Sequence, residues 1–489
     1  MSELNCKNRT IFLHDNLEIL QGLNSRCIDL IYLDPPFNKN KKFTAPIGSS
    51  AEGAEFRDIF REEDVKDEWL QTIKEDQPEL YQYLNGIKGV GKPYNFAYLA
   101  YMAIRLIECW RVLKPTGSIY LHCDPTMSHY LKSTLDCIFG EQNFRNDIVW
   151  KRHTSVHGSF QHAPKQWGSI TDVLLFYTKS DRFRLAPYRQ ISASERMKKF
   201  KFIDEDTGRR YYDDSAHIWN SPNMGARPNQ CYEWRGFKNP YVSGWRLTKQ
   251  RLEEEYEKGN IVILPNGRLQ RRKYEDEFRG TPCGNFWDDI LPSSGKERTG
   301  YPTQKPLALL KRIINASSNE GDIVLDPFCG CATTCVAAER LNRKWVGVDV
   351  SIKAYELVKE RLFTEKALLE NLSEKDKLAS SGVVLKTHPP KRTDVGADYR
   401  EEKFVYVISH PNYEREYKVG IAKDVNARLN AYQTSDPERQ YKLEHSLRTP
   451  LFRETEAHIH HHFPNKYEWV QASLDEIKAF ATSGVLRSL

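Results

Sequence analysis

Short apolar runs of strand length alternate with helical stretches in two parts of the chain. The run Ile28–Leu33 comes first, and a helical stretch precedes the run Gly117–His122. Further along, the runs at 323–326 and 345–349 flank another helical stretch and form one βαβ unit. Strands that alternate with helices predict an α/β fold with a mostly parallel, doubly wound sheet.

Two segments depart from this pattern. After Trp150 the periodicity weakens and basic residues interleave with aromatic ones, as in Arg268–Lys273. This pattern predicts a nucleic-acid-recognition insert of mixed structure, and the alternative is a solvated irregular domain with an ordinary aromatic core. Thr387–Thr393 has paired prolines and no apolar rhythm, which indicates a linker. The role of the polar segment 39–94 is not indicated. The domains that we expect are 1–149 together with 287–378, the insert 150–286, the linker 379–401, and a small C-terminal domain 402–489.

Bulk properties narrow the class of protein. A chain of 489 residues exceeds one ordinary domain. Because no apolar run approaches the roughly 18 residues of a membrane span and the first residues do not resemble a signal peptide, we expect a cytoplasmic protein without membrane contact. Ten cysteines, none after Cys335, fit a reducing compartment. The net charge of +6 supports a polyanionic partner only weakly.

The tetrapeptide Asp34-Pro35-Pro36-Phe37 directly follows the first strand. It is therefore expected at the carboxyl edge of the sheet, where open α/β folds bind ligands. An amino group on an aromatic ring is a poor nucleophile, but a carboxylate and a rigid proline carbonyl that accept its hydrogens free the lone pair. Phe37 is suited to stack on a base rotated out of a duplex. The alternative is a capped turn with Phe37 in the core.

A second loop, Asp326–Thr334, follows a strand and opens a helix. Backbone N–H groups around Gly330 can cradle a ligand there, and Asp349 at the end of the next strand is suited to bind a ribose diol. A nicotinamide-dinucleotide enzyme would need three spaced glycines, but Ala332 occupies the second place. The three cysteines in and beside the loop lack the paired spacing of common zinc sites.

The order of tetrapeptide, insert and Gly-containing loop resembles the β group of amino-methylating DNA methyltransferases. The resemblance covers residues 8–365 and includes Leu113–Gly117, Trp287–Ile290 and Pro302–Pro306. It implies a Rossmann-like methyltransferase that uses S-adenosyl-L-methionine and acts on double-stranded DNA. It also implies that Asp34, Pro35, Pro36 and Phe37 bind the target amino group and ring, and that the cofactor is bound by Asp15, Thr303, Lys305, Asp326, Phe328, Gly330 and Asp349.

The target base follows from the first residue of the tetrapeptide. Members of the family whose tetrapeptide begins with Asp mostly methylate adenine N6, whereas cytosine-N4 enzymes more often begin with Ser. We therefore expect adenine N6, with cytosine N4 as the alternative. Pro282-Cys283 lies outside a catalytic strand and loop, which argues against cytosine-C5 chemistry and suggests a turn. A DNA-binding regulator with inactive catalytic folds is the alternative from another class, and a homodimer is one option for the oligomeric state.

The C-terminal segment, about 402–482, resembles a GIY-YIG nuclease domain through Phe404–Ile408 and Tyr417–Gly420. The resemblance implies that a tyrosine positions or deprotonates water, an arginine stabilises the phosphorane charge and a glutamate binds a divalent metal such as Mg²⁺. The residues at these places are Tyr406, Tyr417, Arg428 and Glu456, of which Glu456 is the metal ligand.

Two departures leave this second activity open. Phe404 replaces the first glycine of the motif, and Lys418 stands where the second tyrosine is usual. An active phosphodiesterase, a DNA-binding relic and an unrelated small α/β domain therefore all remain. The order of the two domains suggests a restriction-modification device in one chain.

Overall fold

The computed structural model describes residues 3–155, 167–189, 191–367, 382–394, 403–422, 425–449, 452–466 and 468–486. The chain divides into two compact units, one formed by Met1–Ala186 with Asn285–Leu489 and the other by Pro187–Gly284. The predicted insert 150–286 thus contributes its first residues to the larger unit. Parts of the predicted linker 379–401, and the end of the helix expected before it, lie outside the described residues.

The first part of the larger unit contains both strands and helices. In chain order they are β1 (Thr10–Leu13), α1 (Asn16–Gly22), β2 (Ile28–Leu33), β3 (Lys41–Thr44), β4 (Glu55–Asp58), α2 (Asp67–Asp76), α3 (Pro78–Gly89), α4 (Pro93–Val112), β5 (Leu113–Cys123), α5 (Ser128–Phe139), β6 (Phe144–Lys151) and β7 (Thr171–Thr178).

The smaller unit has short strands and two helices. They are β8 (Tyr188–Arg189), α6 (Ala193–Lys199), β9 (Phe202–Ile203), β10 (Arg210–Asp213), β11 (Glu233–Trp234), β12 (Phe237–Lys238), α7 (Lys249–Glu257), β13 (Ile261–Ile263), β14 (Leu269–Tyr274) and β15 (Thr281–Pro282). Strands β13-β14-β10-β9 form one antiparallel sheet over a core that includes Trp234 and Trp245. Pro282 lies in β15, which pairs with β8, rather than in the expected turn.

The chain then returns to the larger unit. The elements there are β16 (Phe286–Trp287), α8 (Leu307–Ser317), β17 (Ile323–Asp326), α9 (Thr333–Arg340), β18 (Lys344–Asp349), α10 (Ile352–Ala367) and β19 (Val384–Lys386). The C-terminal segment follows with β20 (Lys403–Ser409), β21 (Glu416–Ala422), α11 (Val425–Ser435), β22 (Lys442–Thr449), α12 (Phe452–His462), β23 (Asn465–Lys466), β24 (Trp469–Gln471) and α13 (Leu474–Leu486).

A nine-stranded sheet organises the larger unit, in the order β16-β6-β7-β5-β2-β17-β18-β1-β19. Strand β7 runs antiparallel to both of its neighbours, and the other adjacent pairs are parallel. The prediction of a mostly parallel, doubly wound α/β sheet is confirmed. The tetrapeptide, both Asp-ended strands and Asp15 consequently lie at the same carboxyl edge.

Alternating side chains build one core on each face of this sheet. On β2, Ile31 and Leu33 pack with α1, α4 and α5, whereas Leu30 and Tyr32 pack with α8, α9 and α10. This alternation is the two-residue period of a strand buried on both faces. No helix in the described ranges is long and apolar enough to cross a membrane.

Part of the predicted linker belongs to the sheet. Strand β19 pairs in parallel with β1, and the residues after it bind the loop that follows α1. The Thr393 N–H donates to Asn24 Oδ1 at 2.9 Å, and Asp394 Oδ2 accepts the Ser25 N–H at 2.7 Å. These contacts explain why a segment without apolar periodicity is ordered, since hydrogen bonds rather than burial hold it.

The C-terminal segment forms a five-stranded antiparallel sheet, β22-β20-β21-β24-β23, with three helices. Buried side chains such as Val405 and Val419 form one core with α12 and α13, whereas Tyr406 and Ile408 form another with α11. The small α+β domain expected here is confirmed.

Candidate active site

A cavity of about 740 Å³ opens at the carboxyl edge of the nine-stranded sheet. Asp34 follows β2, the strand at the middle of this edge. Three further carboxylates line the cavity on one side. Asp326 ends β17, Asp349 ends β18, and Asp15 comes shortly after β1. On the other side, Asp172 on β7 and Trp150 on β6 line the cavity. The cavity therefore has two halves that meet at Asp34.

Lys305 binds the Asp34 carboxylate directly. Its Nζ donates to Asp34 Oδ1 at 2.7 Å and Oδ2 at 2.6 Å, and to the Thr303 carbonyl at 3.3 Å. Thr303 adopts a left-handed backbone, φ 64°, in the turn that precedes α8. Lys305 is almost fully buried, so the ion pair fixes the carboxylate in place. The sequence suggested a cofactor contact for Lys305, and its partner 271 residues away was missed.

The tetrapeptide is anchored at its exit by Asp58, the last residue of β4. This buried carboxylate accepts the backbone N–H groups of Phe37, Asn38 and Lys39 at 3.2, 2.6 and 3.0 Å. Burial raises the pKa of Asp58, and these hydrogen bonds oppose the rise. Asn38 itself has a left-handed backbone, φ 60°. Segment 39–94, to which the sequence assigned no role, thus holds the end of the tetrapeptide in place.

Four adjacent strands present a polar and aromatic row on one face, at the carboxyl edge. Its members are Trp150 on β6, Asp172 on β7, His122 on β5 and Tyr32 on β2. The Tyr32 hydroxyl lies 2.9 Å from His122 Nδ1, and His122 Nε2 lies 3.3 Å from Asp172 Oδ2. The His122 ring stacks on Phe37, with centroids 5.9 Å apart and planes 24° apart. The row therefore supports the aromatic ring of the tetrapeptide from behind.

The protonation of this row follows from its acceptors. Burial alone would raise the pKa of Asp172, but the hydrogen bond from His122 and nearby positive charge leave it below the ordinary value. An ionised carboxylate only accepts, so His122 Nε2 carries the hydrogen. Burial raises the pKa of Tyr32 well above its usual range, so its hydroxyl stays protonated beside His122 Nδ1.

The other half of the cavity is built on the loop before α9. Gly330 has φ 51°, and its N–H donates to Asp349 Oδ2 at 2.9 Å. A Cβ at Gly330 would lie 3.0 Å from the Tyr301 ring, so glycine is required for both reasons. Ala332, which stands at the second glycine place of the dinucleotide pattern, also adopts a left-handed backbone, φ 54°.

Two carboxyl groups in this half lack a lysine or arginine partner at salt-bridge distance within the described residues. Burial raises the pKa of Asp326 to about 7, against hydrogen bonds from the Thr334 hydroxyl and the Phe328 N–H. Burial likewise raises the pKa of Asp349 to about 6, despite backbone bonds from Ser351 and Gly330. The carboxylate forms are therefore poorly stabilised until a hydrogen-bond donor enters.

Asp15 caps α1 and has a buried partner that the sequence did not reveal. Its Oδ1 accepts the Leu17 N–H at 2.7 Å, and Arg105 Nη2 donates to both carboxylate oxygens at 3.0 Å. Arg105 is fully buried on α4 and lies 3.5 Å from the Tyr101 ring centre. Half of the Asp15 side chain remains exposed at the cavity.

In the C-terminal domain the structure brings together some of the predicted residues. The Tyr406 and Tyr432 hydroxyls lie 2.9 Å apart, and Arg428 Nε donates to the Tyr406 hydroxyl at 3.4 Å. Gly420 faces Tyr406 across β20 and β21, where a Cβ would lie 2.5 Å from the hydroxyl. Lys418 Nζ lies 4.9 Å from the Tyr432 ring centre.

The other two predicted residues, Tyr417 and Glu456, lie away from this cluster. Tyr417 packs with the core that contains Val419, on the other face of β21 from Tyr406. Glu456 is half-buried on α12, whose Phe452 and Ile459 enter that same core. Among the residues that the structure describes, no three His, Cys, Asp or Glu side chains are grouped to hold a metal ion. The Mg²⁺ site at Glu456 therefore stays a prediction based on one ligand.

Family models match both parts of the chain. A model described as DNA methylase, N6_N4_Mtase, matches residues 28–360, and a T5orf172 domain model matches residues 403–483. The second match corrects the GIY-YIG resemblance suggested by the sequence. The motif had already departed from that pattern at Phe404 and Lys418.

Curated relatives agree with the first match. Type II methyltransferase M.EcaI of Enterobacter cloacae is 30% identical over 268 residues, 54% of this chain and 57% of that protein. The Mod subunit of the type III restriction-modification enzyme StyLTI of Salmonella typhimurium is 27% identical over 362 residues, 70% of this chain and 51% of that subunit. The DNA adenine methyltransferase YhdJ of Escherichia coli is 25% identical over 354 residues, 72% of this chain and 82% of that enzyme.

The chain spans little more than half the length of the first two relatives. The DNA methylase model nevertheless matches more than half of the 489 residues, including both halves of the cavity. The chain therefore belongs to the N6_N4_Mtase family of DNA methylases.

Proposed function

We propose that the chain is an S-adenosylmethionine-dependent methyltransferase that modifies adenine N6 of a base rotated out of double-stranded DNA. The observation that carries this proposal is the position of Asp34, fixed by Lys305 where the two halves of one cavity meet. The relative named as a DNA adenine methyltransferase and the Asp at the start of the tetrapeptide favour adenine over cytosine N4.

The half around Gly330 and Asp349 suits the cofactor. Asp349 offers carboxylate oxygens to ribose hydroxyls, Gly330 leaves room for close approach, and Phe328 lines the same wall. Asp15 with Arg105 closes this half. S-adenosylmethionine supplies an electrophilic methyl group. Carboxyl groups without a cationic partner are suited to a ligand that brings its own hydroxyl donors.

The half around Phe37 suits the base. The Asp34 carboxylate and the Pro35 carbonyl accept the two amino hydrogens, which directs the nitrogen lone pair toward the methyl donor. A carboxylate has about four acceptor positions, so Asp34 can bind Lys305 and the amino group together. Methyl transfer would break the methyl–sulfur bond of S-adenosylmethionine and leave its sulfur as a neutral thioether. The methylated nitrogen would lose one proton, which passes through Asp34 to solvent.

The test is methyl transfer from labelled S-adenosylmethionine to DNA from a host that lacks modification. Digestion to nucleosides and mass spectrometry identifies the base, and sequencing of the modified DNA gives the recognition sequence. We expect N6-methyladenine. If the product is N4-methylcytosine, the target is cytosine N4 instead. If no base carries label, the proposal is contradicted and a DNA-binding regulator is favoured.

The matched control lies on the same strand. Asp29, at the amino end of β2, also accepts two hydrogen bonds from one lysine, Lys114 Nζ, at 2.8 Å each. Asp34→Asn and Asp29→Asn therefore remove similar ion pairs, of which one lines the cavity and the other does not. Equal methyl transfer by both variants would contradict a chemical role for Asp34.

The unit 187–284 is proposed to read the recognition sequence. Its aromatic side chains Trp234 and Trp245 are buried in its own core, whereas basic side chains such as Lys198, Arg246 and Arg268 are exposed. Exposed cations on a compact unit suit contact with DNA phosphates, and such binding weakens with salt. Replacing the three with alanine is expected to flatten the salt dependence of DNA binding, measured by fluorescence anisotropy.

For the C-terminal domain we propose contact with a DNA phosphodiester, with cleavage as its stronger form. The supporting observation is the cluster of Tyr406, Arg428 and Lys418, in which two cations accompany a buried hydroxyl. Burial raises the pKa of Tyr406 to about 12, so this hydroxyl donates at neutral pH and positions water rather than deprotonating it.

Cleavage is tested by incubating supercoiled plasmid with the full chain and Mg²⁺ or Mn²⁺. Arg428→Ala is expected to lose cleavage, whereas Lys442→Ala, an exposed cation on β22, retains it. DNA binding without cleavage by the unaltered chain would leave the domain as a binding module and argue against a restriction-modification device in one chain.

A further inference from the structure

An ion pair whose two facing atoms make no hydrogen bond lies at the end of the row formed by Tyr32, His122 and Asp172. Arg152 follows β6, and its Nε lies 3.4 Å from Asp172 Oδ1. Both atoms are buried, and in the part of the chain that the structure describes neither has a hydrogen-bond partner. Arg152 and Asp172 line the same cavity as Asp34 and Phe37, so the unsatisfied groups belong to its base-side half.

A continuous chain of contacts links Arg152 to the tetrapeptide. Phe37 stacks on His122, His122 donates to Asp172 Oδ2, and Asp172 Oδ1 faces Arg152. Asp172 is thus held on one oxygen and directs its other oxygen to the guanidinium. The pocket then contains two ion pairs, Asp34 with Lys305 and Asp172 with Arg152, and has no net charge from these four groups. A neutral base fits such a pocket.

The donors and acceptors of the pocket select the bases that fit. Asp34 accepts hydrogen bonds, whereas an arginine only donates them. Adenine carries an amino donor flanked by the acceptors N1 and N7, and cytosine carries an amino donor beside the acceptor N3. Thymine and guanine present the reverse, a carbonyl acceptor beside a ring N–H donor. An acceptor and a donor placed together therefore match the two amino bases and reject the other two.

We propose that Arg152, positioned by Asp172, donates a hydrogen bond to a ring nitrogen beside the amino group of the target base and is a specificity-determining residue. This inference rests on the proposed methyl transfer. Asp172 is a positioning residue, because it acts through Arg152. The incoming ring nitrogen supplies the acceptor that the buried Nε of Arg152 lacks in the part of the chain that the structure describes.

The test uses duplexes that carry the recognition sequence with adenine, 1-deazaadenine or 7-deazaadenine at the target position. Each analogue replaces one ring nitrogen by carbon. Under single-turnover conditions, the unaltered chain is expected to methylate one of the two analogues about 10- to 100-fold more slowly than adenine, the effect of losing one hydrogen bond to a charged group. If the modified base is cytosine, 3-deazacytosine takes their place.

Variants separate recognition from a general loss of activity. Arg152→Met is expected to methylate adenine slowly and to lose the discrimination, whereas Arg152→Lys, which retains a donor, restores part of it. Asp172→Asn is expected to reduce the discrimination, because the uncharged amide holds Arg152 less firmly. A merely structural role would slow all substrates equally. Arg145→Met, at the opposite end of β6, retains the full discrimination.

The outcomes are distinguishable. Discrimination by Arg152→Met equal to that of the unaltered chain, or no discrimination by the unaltered chain, would overturn the role of Arg152 while leaving methyl transfer intact. No transfer to the adenine duplex by the unaltered chain would overturn both. Equilibrium dialysis with S-adenosylmethionine verifies that Arg152→Met still binds the cofactor, as expected for a residue in the other half of the cavity.

Discussion

The two ends of strand β2 carry nearly the same ion pair in different surroundings. Asp29 with Lys114 and Asp34 with Lys305 each place one lysine on both carboxylate oxygens at 2.6 to 2.8 Å. All four side chains are largely buried. Asp29 also accepts the Ile323 N–H at 2.9 Å and so ties β2 to β17, whereas Asp34 faces the cavity. The geometry of an ion pair therefore does not mark a catalytic carboxylate, but the edge of the sheet does.

The largest expected difference is in methyl transfer. Asp34→Asn removes the acceptor of the amino hydrogens and is expected to lower the single-turnover rate about 10²- to 10⁴-fold, the usual contribution of a positioned acid–base group. Asp29→Asn is the control and retains the rate per folded molecule. If the rate of Asp34→Asn fell by less than tenfold, Asp34 would have no chemical role that distinguishes it from Asp29.

The second difference is in stability. Asp29→Asn leaves Lys114 without its counter-charge in a largely buried position, so we expect the free energy of unfolding to fall by about 1–3 kcal/mol. Urea denaturation followed by circular dichroism measures this loss. An unchanged unfolding midpoint would mean that the amino-edge pair does not stabilise the sheet.

The comparison extends to Asp349, which has no lysine. Its pKa of about 6 lies above the ordinary value, so the group is protonated below pH 6 and cannot accept two ribose hydroxyls. We expect the affinity for S-adenosylmethionine to fall up to tenfold per pH unit below 6, since one proton competes with the ligand. Calorimetry between pH 5 and 8 measures the slope, and Asp349→Asn, as the control, abolishes it.

The same two carboxyl groups make the stability of the ligand-free chain decrease as pH rises. The pKa values of Asp326 and Asp349 in the folded chain, about 7 and 6, lie above those of an unfolded chain. Their contribution to stability is therefore fully present below about pH 4, the ordinary pKa of such a carboxyl, and is lost progressively as pH rises from there to about 7. We compare the melting temperature of the unaltered chain with those of the Asp326→Asn and Asp349→Asn variants across this pH window. If the melting temperature of the unaltered chain rose relative to the variants, the predicted loss of stability would be contradicted.

The smallest expected effect concerns Asp58, which anchors backbone as Asp29 does, but beside the cavity. Asp58→Asn weakens the bonds to Phe37, Asn38 and Lys39, and we expect methyl transfer to fall about fivefold, equivalent to about 1 kcal/mol. Cofactor binding should not change. If cofactor affinity fell by the same factor, Asp58 would support the whole edge rather than the tetrapeptide.

Local pattern was sufficient to predict four strands of the large sheet and the two loops that follow β2 and β17. The apolar run at 28–33 forms β2 with those bounds, and the run that begins at Ile323 forms β17. Both are buried on two faces, so their apolar runs are continuous and easily recognised. Because a loop after a parallel strand lies at the carboxyl edge, the positions of Asp34 and Gly330 followed directly.

Partners distant in sequence could not be predicted. Lys305, Asp172 and Asp58 each act on a residue of another element, and nothing in local periodicity encodes such a pairing. The same reason explains β19, which has three residues and pairs with the first strand of the chain. In the C-terminal domain, the neighbouring residues Tyr417 and Lys418 occupy opposite faces of β21, so the strand register decides which of them accompanies Tyr406.

The row of side chains behind Phe37 also helps to fix the register of the strands in the sheet. Tyr32, His122 and Asp172 come from three neighbouring strands, and their hydrogen bonds form only when all three point to the same face. A slip of one residue in any of these strands would turn its member to the opposite side and leave buried polar groups unmatched. Strand assembly and the base selection that we propose for Arg152 thus depend on the same atoms. Attempts to change the target base by redesigning this row will alter folding at the same time, so selection for a new base should include a requirement for stability.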